Sequence, residues 1–220
     1  MNRTSLISKI FWLVIFAIAM AFVESAVVVY LRAIFYPDGF KFPLKAITDY
    51  KIIIEVFREA ATIFMLLSVT FLAGAKRWER FAYFMLTFGV WDIFYYIWLK
   101  VLINWPASIL DYDILFLIPI PWISPVIAPA SISLLMIIFS ILIAHSIQNG
   151  HDFRPTLLSR ILASAGIAFI LYSFMRDINA TLHQQMPKPY HYEFLIIGDI
   201  MFVAAFMISY LGKAYGRTHV

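Results

Sequence analysis

Cysteine is absent from the 220 residues. That excludes disulfides, thiolate nucleophiles, iron–sulfur clusters and cysteine-zinc sites, and leaves the redox compartment undefined. Charge is also scarce: 14% of residues are Asp, Glu, Lys or Arg, and 63% are hydrophobic. Soluble domains hold about 25% charged residues and are about half apolar. No G-x-S-x-G, H-E-x-x-H, Walker or G-x-G-x-x-G pattern occurs, so the common hydrolase, metalloprotease and nucleotide-binding signatures are missing. No internal repeat is evident, which weakens an inverted-repeat transporter. No basic run suits nucleic acid, and a net charge of +4 is ordinary for a membrane protein.

What is present is long apolar runs, with a mean hydropathy of +0.85. The composition predicts one integral membrane domain covering residues 1–220, an all-α polytopic bundle of about six spans. The expected spans are roughly 10–35, 52–75, 81–103, 126–144, 157–178 and 194–211. The first is read as an uncleaved helix, because its apolar character continues past Ala19-Met20-Ala21 through Tyr30. The region before the fourth span holds Pro119, Pro121, Pro125 and Pro129. Proline breaks helices, so 114–124 is expected to dip into the membrane edge and turn back, a re-entrant segment. The alternative is a surface-lying stretch anchored by Trp122.

Basic residues set the expected orientation. With the N-terminus inside, cytoplasmic segments carry Arg3, Lys9, Lys76, Arg77, Arg80, Arg154, Arg160, Lys213 and Arg217 against only Glu79 and Asp152. The outer loops proper supply Lys41, Lys45, Lys51 and Lys188. The positive-inside rule then favours a plasma (inner) membrane protein with both termini cytoplasmic.

The third span contains Trp91-Asp92-Ile93-Phe94-Tyr95-Tyr96-Ile97-Trp98-Leu99-Lys100. Asp92, Tyr96 and Lys100 recur every four residues, which predicts one helix face. An ionised group at membrane depth costs about 2.5–3.5 kcal/mol on insertion scales, so such groups are shielded from lipid and are functional candidates. The predicted orientation puts Glu24, Arg32, Glu55, Arg58, Glu59, Asp92, Lys100, Asp113 and Asp199 in the outer half. The inner halves look uniformly apolar. The pattern predicts an outward-facing polar cavity with Asp92 at its floor and Lys100 at its rim. The alternative is that Glu24–Arg58, Glu55–Arg32 and Asp92–Lys100 are plain ion pairs fixing helix register. Trp98 and Trp105 fit an interfacial aromatic belt.

Candidate catalytic groups are Asp92, Glu59 and Glu24, carboxylates suited to acid/base work. Candidate binding groups are Arg32, Arg58, Lys100, Tyr96, Glu55, Asp113 and Asp199, the cations suiting an anionic group such as phosphate. No cofactor is assigned. His183 and His191 flank a loop near Glu193, but not at a known metal-ligand spacing, and no histidine lies mid-span for haem. Ser131 and Ser133 have no histidine placed to activate them.

The stretch from Phe88 to Pro129, with WDIFYYIWLK and Asp111-Tyr112-Asp113-Ile114-Leu115-Phe116-Leu117-Ile118-Pro119, resembles an uncharacterised family of small prokaryotic multi-pass membrane proteins. Glu24 to Arg32 and Arg58-Glu59-Ala60 are similar too. The resemblance implies a membrane domain and transfers no catalytic residue.

Three functions fit these observations. One is a membrane-embedded enzyme acting on a lipid or other amphiphile near the outer leaflet. The second is a small-solute or ion-coupled transporter. The third is an accessory or cofactor-binding subunit of a larger membrane complex. The bilayer is the expected partner in each, with a lipid or small-molecule ligand and a homo-oligomer or membrane complex left open.

Overall fold

The computed structural model describes residues 3–44, 50–118, 120–151 and 153–215. Pro119, Lys45, Asp152, Arg217 and both chain ends lie outside the described residues. All six expected apolar segments are helical. They are α1 (Arg3–Phe35), α2 (Lys51–Ala73), α3 (Arg77–Ile103), α4 (Ile127–Gln148), α5 (Leu157–Met175) and α7 (Tyr192–Tyr215), with a short α6 (Asn179–Leu182) before the last. Among the described residues, five helices are long and apolar enough to cross a membrane; α2 is not one of them. Its first nine residues hold Lys51, Glu55, Arg58 and Glu59.

Helix ends follow local chemistry. α1 stops before Pro37-Asp38-Gly39, where Gly39 adopts φ +104 and donates its N–H to Tyr36 O; glycine takes this left-handed conformation without steric cost. At the start of α3, Glu79 accepts from the backbone N–H of Ala75 (2.8 Å) and Lys76 (3.3 Å), satisfying donors that have no helical partner. α3 ends on Asn104 in the left-handed region. Thr156 caps α5 by accepting from Ser159 N. Pro129 sits in the first turn of α4, where an N–H would have no intrahelical acceptor.

Between α3 and α4 the chain forms a hairpin rather than a helix. β1 (Tyr112–Ile114) pairs antiparallel with β2 (Ile123–Pro125), Asp113 opposite Ser124. The ladder continues through Leu115 N to Trp122 O and Trp122 N to Phe116 O, both 2.8 Å. A two-stranded sheet makes this turn, the only sheet among the described residues of an otherwise helical fold. Prolines that break a helix leave extended backbone, and the two strands satisfy each other's polar groups.

α3 is the central helix, packed along α1 on one side and α4 on the other, with α2 beside it. α5 and α7 pair closely and touch the rest mainly through α4 and β2. Phe139 of α4 stacks on Phe206 of α7 at 4.2 Å. Small residues allow the closest helix approaches, as expected where apolar burial alone does not drive association. A Cβ on Gly89 would lie 2.7 Å from Ser133 O across the α3–α4 contact. Gly89→Ala must push two backbones apart. It should lower stability by about 1–3 kcal/mol, the usual range for overpacking, read as a lower midpoint in detergent-solubilised thermal unfolding. An unchanged midpoint would mean that α4 shifts freely.

The main core lies toward the N-terminal half of α1 and the matching parts of α2, α3 and α4. Leu13, Ala17, Ala21, Leu66, Leu86 and Val90 are all buried there. A buried polar cluster closes that end, with Lys9 Nζ 3.3 Å from Glu79 Oε1 and Tyr83 Oη donating to the same oxygen at 2.9 Å.

Candidate functional site

The opposite end of the bundle is built differently. The late turns of α1, the early turns of α2, the late turns of α3 and the hairpin enclose a cavity of about 380 Å³. That is within the range of about 300–1,000 Å³ typical of small-molecule sites. Helical spacing aims the lining groups inward. Glu24, Val28, Leu31, Arg32 and Phe35 recur at three- and four-residue steps on α1; Ile52, Glu55, Arg58 and Glu59 do so on α2; and Asp92, Tyr95 and Tyr96 on α3. Asp113 enters from β1, and Ile114 to Leu117 form part of the lid.

Glu24, Arg32, Glu55, Arg58, Glu59, Asp92, Tyr96 and Asp113 thus line one cavity. Their pairings are only partly those expected. Glu24–Arg58 forms, and Arg58 also clasps Glu55, with Nε donating to Oε2 at 2.9 Å. Thr62 Oγ1 donates to Glu24 Oε2 at 3.2 Å. The Glu55–Arg32 and Asp92–Lys100 pairs do not form among the described residues. Arg32 Nη2 instead donates to Asp113 Oδ1 at 3.0 Å. Its guanidinium sits in the corner of two rings set edge to face, 4.1 Å from Phe40 and 3.8 Å from Trp105, cation–π contacts for which arginine is better suited than lysine. Burial pushes the Asp113 carboxyl up to about 6, against the opposing pull of Arg32.

Two carboxylates in the cavity make no ion-pair contact among the described residues, although the Arg58 charge acts on Glu59 from further off. Asp92 accepts from Ser133 Oγ at 2.8 Å. Glu59 accepts from the backbone N–H of Leu117 at 2.9 Å, which ties the hairpin loop to α2.

Two expected members lie elsewhere. Lys100 is exposed and donates to Pro106 O at 2.8 Å and Asn104 O at 3.5 Å. At 100° per residue, eight residues turn the helix about 80° away from Asp92, and unsatisfied carbonyls just past the helix end attract a cation. Lys100 is an end cap for α3, not the cavity rim. Asp199 sits on α7 beside Ser131 (3.5 Å) in a separate groove between α4 and α7. It shares the depth of the other acids but not their side of the bundle.

Sequence spacing did not reveal Ser133, Phe40 or Trp105 as members of these contacts. Trp105, expected in an interfacial belt, meets Arg32. Trp98, expected there too, donates Nε1 to Ile18 O at 3.2 Å. His191 Nδ1 meets Glu193 Oε1 at 2.5 Å. No group of three or more His, Asp or Glu residues able to hold a metal ion occurs among the described residues.

No protein-family model matches this chain, and neither any curated protein nor any solved structure matches it.

Proposed function

We propose that this chain is a membrane-embedded enzyme that applies carboxylate acid/base chemistry to an amphiphile near the outer leaflet. The observation that carries this reading is the contrast among the cavity acids. Glu24, Glu55 and Asp113 are tied to arginines, whereas Asp92 and Glu59 are held only by neutral donors, a hydroxyl and an amide. A carboxylate held by a guanidinium is occupied by that contact. Two uncompensated ones in different surroundings can divide acid and base roles between them.

In this reading Asp92 and Glu59 transfer protons, and Arg32 and Arg58 position the head group directly or through their carboxylates. Glu24, placed among the catalytic candidates on sequence, fits better as a partner that fixes Arg58. A transporter fits less well. Leu13, Ala17, Ala21 and Leu66 pack tightly beneath the cavity, and a through-path would have to part them.

The same reading takes α2 as a sixth crossing. It presents exposed Ile53, Ile54, Phe57, Phe64 and Leu72, a face suited to lipid, and shields its charges in the cavity. The hairpin then covers the cavity as a re-entrant element at the outer membrane edge, and both termini lie in the cytoplasm. A reporter fused after Val220 should be active only in the cytoplasm; an external signal would invert the cavity and overturn this placement.

Turnover is tested with purified protein in proteoliposomes carrying a panel of amphiphiles, followed by mass spectrometry of the extracted lipids. Product that appears with the native chain and disappears with Asp92→Asn supports the enzyme. Solute flux without chemical change would favour a carrier.

A further inference from the structure

Arg32 and Asp113 carry more information than an ion pair requires. They are 8% and 1% exposed and meet through a single contact, Nη2 to Oδ1. Among the described residues Arg32 Nη1 and Asp113 Oδ2 are both buried without a hydrogen-bond partner within 3.5 Å, and the Tyr95 and Tyr96 hydroxyls act on the same carboxyl only as weaker donors. Both residues line the cavity. A buried donor and a buried acceptor left open are costly unless something satisfies both. The simplest group that accepts and donates at once is a hydroxyl.

The rest of the cavity bears on which ligand brings that hydroxyl. Among the described residues its lining holds five carboxylates, Glu24, Glu55, Glu59, Asp92 and Asp113, against two guanidiniums and Lys51. In the enzyme reading one of Asp92 and Glu59 is the protonated acid, so four carboxylates face three cations, and the lining offers no positive excess to select an anionic head group such as phosphate over a neutral one. Trp91, Tyr95 and Tyr96 also line it, aromatic groups suited to the apolar flanks of a polyol. The tail has a route as well. α1 lies along α3 but touches α2 only sparsely. Val28, Leu31 and Phe35 of α1 and the exposed Ile52 of α2 line the cavity, so the two helices that touch least offer it apolar walls.

We infer that the cavity takes an amphiphile with a neutral, polyhydroxylated head group, one hydroxyl bridging Arg32 and Asp113 and the alkyl tail leaving between α1 and α2. This deepens the enzyme reading by naming its substrate class, but its test reads binding. A cavity that binds such a molecule and converts nothing leaves the inference standing and removes the enzyme.

The experiment uses the full chain in phosphatidylcholine nanodiscs with radiolabelled octyl glucoside, counting binding above that of empty discs. Saturable binding is expected. Octyl phosphate and free glucose should each compete at least about tenfold more weakly, because one lacks the hydroxyls and the other the tail. Asp113→Asn keeps an oxygen for Arg32 Nη2 and replaces the open acceptor by a donor. It should weaken glucoside binding by about tenfold or more, the usual cost of losing a hydrogen bond to a charged group. Octyl phosphate competing as well as the glucoside would show an anion site and overturn the inference. Free glucose competing equally would overturn the tail route, and absence of saturable binding would show that solvent alone serves the pair. Should Asp113→Asn fail to fold, the ranking of the three ligands on the native chain decides by itself.

Discussion

Arg58→Met should be among the most damaging single substitutions in this protein, with a loss of about 3–5 kcal/mol, the range seen when one partner of a buried ion pair is removed. Arg58 is held by Glu24 of α1 and Glu55 of its own helix. Its side chain is about one-fifth exposed and those of its partners less. Methionine keeps much of the volume but leaves two carboxylates facing each other with no cation. Because α1 and α2 otherwise touch sparsely, the loss should appear as detachment of α2 as well as a lower unfolding midpoint. Loss of a crosslink between α1 and α2 would report that detachment. The triple substitution Glu24→Gln, Glu55→Gln, Arg58→Met removes every charge in the clasp. It should regain most of the midpoint, since neutral amides can hydrogen-bond one another. If the single and triple variants are equally unstable, Arg58 acts through packing of its methylenes and the charge argument fails.

That prediction rests on a pair the sequence could suggest, because Glu24 and Arg58 occupy matching depths on neighbouring helices. Depth was legible throughout. Long apolar runs fix where each helix begins and ends, and a charge inside such a run has a known height. What height does not give is azimuth. Asp199 has the right depth but lies on α7, which pairs with α5 and points it at Ser131. Lys100 has the right spacing, but two turns of drift and the open carbonyls at the end of α3 take it elsewhere. Arg32 and Asp113 stand 81 residues apart, and no local pattern in either segment names the other. The hairpin itself was visible only as a run of prolines that could not be helix. Three-residue strands leave no alternation to detect, and their register is set by contacts with Glu59, Arg32 and the helices beneath. The eight cavity residues were therefore legible as a set, and their pairings were not.

Asp92→Asn is the substitution with the largest expected effect on function: a loss of turnover of at least about a hundredfold, the lower end for removal of a general acid or base. Its value as a test comes from how little else it changes. Asparagine keeps the oxygen that accepts from Ser133 Oγ, and it breaks no ion pair, so fold and thermal midpoint should be preserved or slightly improved. Glu59→Gln has the same property, since the Leu117 amide keeps its acceptor. The two should not be additive. If one residue gives the proton and the other takes it, the double variant should be no slower than the slower single variant, as found for groups that act as a unit. Ser133→Ala separates position from chemistry: it leaves the Asp92 carboxyl in place but unheld, and should lower kcat less than Asp92→Asn with little change in KM. Two carboxylates that merely lock α2, α3 and α4 together would behave in the opposite way. Their amides would leave every activity intact and move only the midpoint, and the cavity would then be a binding site without chemistry of its own.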